Sequence, residues 1–276
     1  MSSPRQLLAK AGIRPKKRYG QNFLVNAPAA RQIARLSLAG APAEMRTLEI
    51  GAGTGVLTQA LLEQGAELTA LEIDPDLVAL LRANADLNAA RIVQSDAMAF
   101  DYLAWAEGQR WRVAGNLPYN IATALILQLI ELEGGPDSLT VTVQKDVADR
   151  LAAAPATPAY GSLSVAVQYA MHVEPAFTLA PGSFFPPPKV RSSVVRLVRR
   201  AEPAVRTNDL ALFWKVVRGA FAYRRKTLAN SLALALDFDR ATIARALTLS
   251  NLPPELRGER LDLSDFARLA DALAEG

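Results

Sequence analysis

Short apolar runs alternate with helical patterns in the first half of this chain. The apolar runs predict strands over residues 47–50, 68–72, 91–94, 112–115 and 139–143. Apolar positions three and four residues apart predict helices over residues 55–64, 76–87 and 121–132. Strands that alternate with helices form mostly parallel sheets with helices on both faces. The pattern therefore predicts an α/β fold whose ligands lie beyond the carboxyl ends of the strands.

The second half of the chain changes from mixed to helical character. Helices are predicted over 145–153 and 162–171, and strands over 173–179 and 192–198 form an antiparallel pair at the sheet edge. Beyond a change in composition at residues 199–203, every segment has a helical pattern. We therefore expect a basic N-terminal arm (1–20), an α/β domain (21–200) and a small all-helical C-terminal domain (201–276).

Composition narrows the possible chemistry and location. The 276 residues include no cysteine and one histidine, and half of them are hydrophobic. Disulfides, thiolate metal sites and histidine clusters are thereby excluded, and we expect no metal cofactor. No apolar run approaches the roughly 20 residues of a membrane span. A reducing, cytoplasmic location fits best, although the basic, acid-free start also resembles an organellar transit peptide.

The positive charge is unevenly distributed. The net charge is only +4, yet residues 1–20 carry six cations and no acid, and a second concentration of cations covers 196–226. Clustered cations on an otherwise balanced protein favour a polyanionic partner such as nucleic acid. The candidate phosphate contacts in these two clusters are Lys16, Lys17, Arg18, Arg224, Arg225 and Lys226. The alternative is that these residues form a solvated charge run.

A glycine-rich loop follows the first predicted strand. Its glycines are Gly51, Gly53 and Gly55, and an acid, Glu49, precedes them. Glycine lets the backbone turn sharply and approach a ligand closely. A carboxylate fits poorly beside the pyrophosphate of a dinucleotide, whereas it suits the sulfonium and amino groups of S-adenosylmethionine. The loop therefore favours that cofactor over a nicotinamide, although such loops also serve as simple tight turns.

Two further acids lie at strand ends, where a cofactor is expected. Glu72 ends the second predicted strand, and a carboxylate there can accept hydrogen bonds from both ribose hydroxyls. Asp96 follows the third strand and can accept from an adenine amino group. The nearby Asp74 and Asp76 are interpreted as helix-capping acids.

The tetrapeptide Asn116-Leu117-Pro118-Tyr119 follows the next predicted strand and offers the groups that hold a flat, amino-bearing ring. The side chain of Asn116 and the backbone of Leu117 each supply a carbonyl acceptor for an amine hydrogen. Pro118 restricts the backbone and has no N–H. Tyr119 provides a face for base stacking, worth about 1–3 kcal/mol. With the glycine-rich loop, the tetrapeptide predicts methyl transfer to an exocyclic base amine.

These motifs resemble those of the ribosomal RNA adenine N6-dimethyltransferases, over roughly residues 14–235. The resemblance implies a Rossmann-like, S-adenosylmethionine-dependent methyltransferase domain. It is closest to the bacterial enzymes that dimethylate two adjacent adenosines near the 3′ end of small-subunit rRNA. Such a chain would act in small-subunit biogenesis, with an assembling small subunit as its partner, and we expect a monomer.

The resemblance also assigns residues. The segment 20–24 resembles the family's N-terminal cofactor motif and implies cofactor contacts from Gln21, Asn22 and Leu24. It places Asn116 at a cofactor position, and Phe184 at the position of a second aromatic near the target base. Phe185 extends that aromatic pair, which leaves open which ring stacks.

Two other classes of function remain alternatives. A nucleic-acid-binding assembly factor can retain such a fold without catalysis, but it has no need for every candidate cofactor residue. A resistance-type methylase of large-subunit rRNA shares the catalytic motifs. The segment 186–190 and the arginine-rich segment 224–226 favour the small-subunit enzyme.

Overall fold

The computed structural model describes residues 4–40, 42, 45–223 and 225–275. The strands are β1 (Phe23–Leu24), β2 (Arg46–Ile50), β3 (Leu68–Glu72), β4 (Arg91–Gln94), β5 (Trp111–Asn116), β6 (Ser138–Gln144), β7 (Met171–Leu179), β8 (Phe184–Phe185) and β9 (Ser192–Arg199). The helices are α1 (Pro4–Lys10), α2 (Ala27–Leu38), α3 (Val56–Leu62), α4 (Pro75–Arg82), α5 (Tyr102–Ala106), α6 (Ala122–Glu131), α7 (Lys145–Leu151), α8 (Ser162–Ala170), α9 (Leu210–Ala222), α10 (Leu228–Ala235), α11 (Arg240–Leu249) and α12 (Leu263–Ala274).

A mixed, mostly parallel sheet forms the centre of the α/β part, as the sequence pattern predicts. Its seven strands lie in the order β4-β3-β2-β5-β6-β9-β7. The first five run parallel to one another, and β9 is antiparallel to β6. The chain direction of β2, β3 and β5 brings the loops after Ile50, Glu72 and Asn116 to one edge, where α/β proteins bind ligands.

Packing against this sheet explains the sequence pattern. The strands β2, β3 and β5 are buried along nearly their whole length, which accounts for their continuous apolar runs. On one face, Ile33 of α2 and Leu61 of α3 pack in the same core cluster as Ala114 of β5. The side chain of Asn26 caps α2 by accepting from the backbone N–H of Ala29 at 3.1 Å. Core packing thus holds the loops that follow the strands.

The N-terminal segment contributes to the α/β part. Leu8 of α1 is buried in a cluster with Phe23 and Leu77. β1 pairs with β8 in a separate two-stranded sheet, which sets Leu24 opposite Phe184. The segment before residue 20, expected to be an arm, therefore packs on the α/β unit over the part that the structure describes.

The chain divides into two compact units. One comprises described residues within 1–148 and 173–199, and the other those within 149–172 and 200–276. The sequence-based boundary placed 149–172 in the first domain, whereas the structure groups this segment with the C-terminal helices. Tyr160 and Val165 share a core cluster with Phe213 and Phe266, and the Tyr160 hydroxyl donates to the Leu261 carbonyl at 2.8 Å.

The described residues lack both a membrane-spanning helix and a metal-binding cluster. No helix among them has the length and apolar character needed to cross a membrane. In the same part of the chain, no group of three or more histidine or acidic side chains is arranged to hold a metal ion.

Candidate active site

One cavity collects most of the predicted cofactor and base-holding residues at the carboxyl edge of the sheet. The predicted residues that line it are Gln21, Asn22, Gly51, Gly53, Glu72, Asp96, Asn116, Leu117, Pro118 and Tyr119. They come from the N-terminal segment and from the loops after β2, β3, β4 and β5. Residues far apart in sequence thus share one site because parallel strands end at the same edge.

The glycine-rich loop approaches the cavity with its backbone. Gly51, Gly53 and Gly55 all have positive φ angles, of 77°, 58° and 84°. At Gly53 a Cβ would lie 3.0 Å from the Phe23 ring, so a side chain there would push against the cavity wall. Gly55 lies outside this cavity and directly precedes α3, and a Cβ there would lie 2.7 Å from Leu87 and 3.1 Å from Leu81. Gly55 therefore permits the turn into α3 rather than contact with a ligand.

Glu72 is held in place by the backbone at the end of β3. Its Oε2 accepts from the N–H of Gly53 at 2.8 Å, and its Oε1 accepts from the N–H of Asp74 at 2.9 Å. Burial raises the pKa of the Glu72 carboxyl, while these backbone donors act in the opposite direction. A carboxylate oxygen can accept more than one hydrogen bond, so Glu72 retains capacity to accept from ligand hydroxyls.

Glu49 lies deeper than expected. It is 1% exposed, and together with Leu24, Gly51 and Asn116 it lines a smaller cavity behind the glycine-rich loop. Burial raises the pKa of Glu49 to about 8, the hydroxyl and backbone of Thr58 lower it in part, and Glu72 raises it further. Its Oε2 has no hydrogen-bond partner among the described residues. A buried carboxyl of this kind is suited to a cationic ligand group.

Asp96 stands at the outer rim of the main cavity. Its Oδ1 accepts from the N–H of Met98 at 2.9 Å and so caps the short 3₁₀ turn Ala97–Ala99. The residue is exposed, and its second oxygen is available to a ligand amino group.

Asn116 connects the end of β5 to the N-terminal segment. Its Nδ2 donates to the backbone carbonyl of Asn22 at 2.8 Å. Its Oδ1 is buried and has no hydrogen-bond partner in the described part of the chain. A buried amide oxygen without a partner is costly, by about 1–3 kcal/mol, unless a ligand supplies a donor. Leu117 continues the strand, with its N–H donating to the Thr142 carbonyl at 3.2 Å.

The turn after Leu117 presents Tyr119 to the cavity. The carbonyl of Pro118 accepts from the N–H groups of Ile121 and Ala122, at 3.1 and 3.0 Å, which closes the turn before α6. Tyr119 is half-buried, and burial raises the pKa of its phenol. It therefore stays neutral at physiological pH and offers an aromatic face.

Phe184 differs from the sequence-based expectation of an aromatic near the target base. It is 3% exposed and packs in the sheet core with Leu179 and Val194, away from the cavity lining. Phe185 packs beside Phe23, and the guanidinium of Arg5 lies 4.7 Å from its ring centroid. Tyr119 is the aromatic of the predicted set that lines the cavity. The pairing of β8 with β1 explains the difference, because it turns Phe184 inwards.

The N-terminal motif is held by an ion pair. Lys16 Nζ lies 2.6 Å from carboxylate oxygens of both Asp74 and Asp76. Gln21 completes the network, because its Nε2 donates to Asp74 at 2.9 Å and its Oε1 accepts from the Lys16 N–H at 2.7 Å. Lys16 was expected to contact phosphate, but these contacts direct it to the protein. Lys17 and Arg18 are exposed, and the Arg18 guanidinium lies over the Tyr19 ring.

The second cationic cluster precedes a helix rather than beginning it. The helix α10 begins at Leu228, and Thr227 caps it by accepting from the Asn230 N–H. Arg225 and Lys226 are exposed in the turn before α10. Arg224, the third predicted cation, lies outside the described residues.

Sequence reasoning missed part of the cavity wall. The unpredicted lining residues include Tyr19, Gly20, Phe23, Ile73 and Ala97. Ile73 directly follows Glu72 and is 36% exposed, an unusual position for an isoleucine. An apolar residue next to a rim acid is the signal that could have identified it.

Comparison with known proteins places most of the chain in one family. Residues 12–258 match the family described as "Ribosomal RNA adenine dimethylase". A Pseudomonas aeruginosa protein named "Ribosomal RNA small subunit methyltransferase A" is 44% identical over 264 residues, which cover 95% of this chain and 96% of that protein. The Lactococcus lactis protein of the same name is 40% identical, with 94% and 90% covered.

Two solved structures share the fold. A dimethyladenosine transferase from Plasmodium falciparum superposes with a TM-score of 0.75 at 23% identity, covering 90% of this chain and 95% of that one. The 23S rRNA methyltransferase ErmE superposes with a TM-score of 0.71 at 24% identity, covering 92% and 100%. Identities this low establish the fold alone. On the match that spans most of its length, the chain belongs to the ribosomal RNA adenine dimethylase family.

Proposed function

We infer that the chain transfers methyl groups from S-adenosylmethionine to the N6 amine of adenosines in small-subunit rRNA, and forms N6,N6-dimethyladenosine. One observation carries the inference. Most of the residues that the resemblance assigns to cofactor and base converge on one cavity, in a chain that matches small-subunit methyltransferases nearly end to end. By that likeness, the targets are two adjacent adenosines near the 3′ end of the RNA.

The cavity fits the methyl donor. Its wall combines the buried acid Glu72, the exposed acid Asp96 and the close backbone of Gly51 and Gly53, and the buried acid Glu49 lines the smaller cavity next to it. We assign Glu72 to the ribose hydroxyls, Asp96 to the adenine amino group and Glu49 to the positively charged groups. The oxygen of Glu49 that has no partner among the described residues supports the last assignment, because a buried carboxyl gains most from a cationic neighbour.

The chain's own residues then hold and orient the target amine. S-Adenosylmethionine, when bound, supplies an electrophilic methyl group. The adenine amine is a weak nucleophile because its lone pair is delocalised into the ring. Asn116 Oδ1 and the Leu117 carbonyl accept from its two hydrogens and favour the pyramidal amine, while Tyr119 stacks on the ring. Each transfer forms one N–C bond as the bond between the methyl carbon and sulfur breaks, which leaves S-adenosylhomocysteine, and one proton leaves the amine for solvent.

Positioning supplies most of the rate enhancement in this scheme. A correctly oriented nucleophile gains several kcal/mol, about 7–11 at best, from the entropy already lost on binding. After the first transfer a single N–H remains, so only one of the two acceptors keeps a donor. We propose that the monomethylated base is held by one hydrogen bond and by its stack on Tyr119.

RNA is the partner of this site, and its base has to leave any helix to reach the cavity. We propose phosphate contacts from Lys17, Arg18, Arg225 and Lys226, which are exposed, and from Arg224. Phosphate contacts give affinity without base choice, so the shape of the small subunit selects the adenosines. The helical domain, proposed as residues 201–276, contributes to that recognition, and we propose a monomeric, cytoplasmic enzyme.

The alternatives are less well supported. A pure assembly factor would not need the oxygen of Asn116 to be held at the cavity with no partner among the described residues. This chain shares its fold with ErmE, a 23S rRNA methyltransferase, which would fit the large-subunit alternative. However, the relatives that are 40–44% identical over nearly their full length carry small-subunit names. A nicotinamide dehydrogenase leaves the tetrapeptide at residues 116–119 without a role.

The substrate class is tested by methyl transfer from labelled S-adenosylmethionine into ribosomal subunits that lack these modifications. We expect label in RNA of the small subunit and background levels in the large subunit. Label confined to large-subunit RNA would support the resistance-type alternative instead. Cofactor binding without transfer to either RNA would support the assembly factor.

A further inference from the structure

The ring of Tyr119 is tethered at its far end by a buried serine. The phenol oxygen of Tyr119 lies 2.6 Å from Oγ of Ser192, within hydrogen-bonding distance. Ser192 is 0% exposed and is the first residue of β9, paired with Gln144 at the end of β6. The bond spans residues far apart in sequence, so it connects the base-holding turn to the antiparallel strand of the sheet.

The near end of the same ring is fixed by the backbone. Leu117 is bonded to Thr142 of β6, and the Pro118 carbonyl accepts two N–H groups in the turn that follows. These bonds fix the Cα of Tyr119 but leave both of its side-chain torsions free. A contact at the phenol oxygen removes that freedom, because moving the hydroxyl requires the ring to swing or tilt.

Ring orientation is important for this chemistry. A base that stacks on an aromatic face takes its plane from that face, and the plane of the base sets the direction of its amine lone pair. Small errors in the placement of a nucleophile are costly, about 100-fold for a displacement of 1 Å. Phenylalanine would supply an equal stacking face at this position, so the hydroxyl contributes orientation rather than area.

We propose that Ser192 is a positioning residue for methyl transfer, which acts by fixing the plane of Tyr119 beneath the target base. The proposal rests on the proposed function, because it assigns Tyr119 to the base. Ser192 itself touches neither base nor cofactor. Its effect should therefore appear in the rate of transfer and not in the affinity for S-adenosylmethionine.

The neighbouring serine provides a matched control. Ser193 is also buried and also bonded to a side chain, with its Oγ 3.3 Å from Oγ1 of Thr178. Successive residues of a strand point to opposite faces of a sheet, so Ser193 points away from Tyr119. Substituting Ser193 by alanine removes a buried hydroxyl from the same strand without touching the tether.

The test is a double-mutant cycle with Ser192→Ala, Tyr119→Phe and the variant that carries both. Single-turnover transfer to unmethylated small subunits is measured at saturating S-adenosylmethionine. We expect each single change to slow transfer about tenfold, and the combined change to be no slower than either, because both remove the same interaction. Ser193→Ala should keep the full rate, and Ser192→Thr, which keeps the hydroxyl, should recover it.

Several results would overturn the proposal. Full activity of Ser192→Ala would overturn it. A further loss of transfer rate when Ser192→Ala is added to Tyr119→Phe would also overturn it, because Ser192 would then act independently of the Tyr119 hydroxyl. If thermal unfolding shows that Ser192→Ala does not fold, Tyr119→Phe decides alone, and full activity of that variant rejects the tether. Absence of adenosine methylation by the unsubstituted protein would instead reject the proposed function.

Discussion

The side-chain nitrogen of Asn116 donates to the backbone carbonyl of Asn22 over 2.8 Å. This bond fixes which way the amide faces, and it leaves Oδ1 buried and without a partner in the described part of the chain. The N-terminal motif therefore does more than line the cavity, because it orients the acceptor that we assign to the target amine. The N-terminal segment 20–24 and the tetrapeptide 116–119 therefore operate as one unit, although they are separate in sequence.

Removal of that acceptor should abolish most of the activity. We expect Asn116→Ala to slow methyl transfer at least about 100-fold, the typical effect of deleting one oriented polar group at a reacting centre. Circular dichroism and thermal unfolding should show a folded protein. The exposed Asn88 supplies a control, since Asn88→Ala should keep the full rate. A fully active Asn116→Ala protein would contradict the assigned role.

Glu72 is expected to govern cofactor affinity. Glu72→Gln keeps the shape of the side chain but removes its charge and turns one acceptor into a donor that faces a backbone N–H. Because a hydrogen bond to a charged group contributes about 1.5–3 kcal/mol, the Kd for S-adenosylmethionine should rise about 10- to 100-fold. Isothermal titration calorimetry measures this directly. An unchanged Kd would remove Glu72 from the ribose.

Lys16 and Lys17 should have separable effects. Lys16→Met breaks the ion pair with Asp74, whose side chain is buried, and loosens Gln21. Because Lys16 is partly exposed, we expect only about a two- to fivefold loss of cofactor affinity, with the salt dependence of RNA binding preserved. Lys17→Met should reduce the salt dependence of RNA binding and preserve the affinity for the cofactor. If Lys16→Met lowers the salt slope while cofactor affinity is unchanged, Lys16 contacts phosphate after all.

The cations before α10 should contribute to RNA affinity. Replacing both Arg225 and Lys226 with alanine should weaken binding at low salt and reduce the slope of log K against log salt by about one to two. Lys215, exposed on α9, is the matched cation in the same unit, and Lys215→Ala should leave the slope unchanged. Equal slopes in the unsubstituted protein, the double variant and Lys215→Ala would show that the turn before α10 does not face the RNA backbone.

Cofactor binding should release a proton from Glu49. Burial raises the pKa of Glu49 to about 8, so its carboxyl is mostly protonated at pH 7, and a cationic ligand favours the charged form. The affinity for S-adenosylmethionine should therefore increase as pH rises from about 6 to about 8 and then level off. Calorimetry in buffers of different ionisation enthalpy counts the proton. Glu49→Gln should bind without this dependence, and a dependence that persists would exclude Glu49 as its source.

The raised pKa of Glu49 should also make the stability of the protein depend on pH. An acid whose pKa is higher in the folded state than in the unfolded state holds its proton longer when folded. Glu49 should therefore lower the free energy of unfolding as pH rises from about 4.5 to about 8, and Glu49→Gln should remove that contribution. Urea unfolding of both proteins across this range measures the difference.

Local pattern was enough to predict the parallel sheet and the positions of its polar strand ends. β3 and β4 have the bounds that the sequence pattern predicts. β3 is buried along its whole length, which requires a continuous apolar sequence, whereas β4 is the edge strand and is more exposed. Glu72 and Asn116 line the same cavity, since strand order brings these strand ends together.

Contacts between distant segments could not be predicted in this way. The pairing of β1 with β8 buries Phe184, and the ion pair between Lys16 and Asp74 redirects a basic residue towards the protein. Neither pairing changes the local sequence pattern. The packing of segment 149–172 could not be predicted either. Its helix α8 has an ordinary amphipathic sequence, which does not indicate that the helix packs with the C-terminal helices.

The most direct measurement is mass spectrometry of nucleosides from small ribosomal subunits that lack this modification, after incubation with the protein and S-adenosylmethionine. The account predicts N6,N6-dimethyladenosine, with two per subunit at completion, and its loss in the Asn116→Ala protein. If the protein binds S-adenosylmethionine but adenosine stays unmethylated, the proposed reaction is wrong.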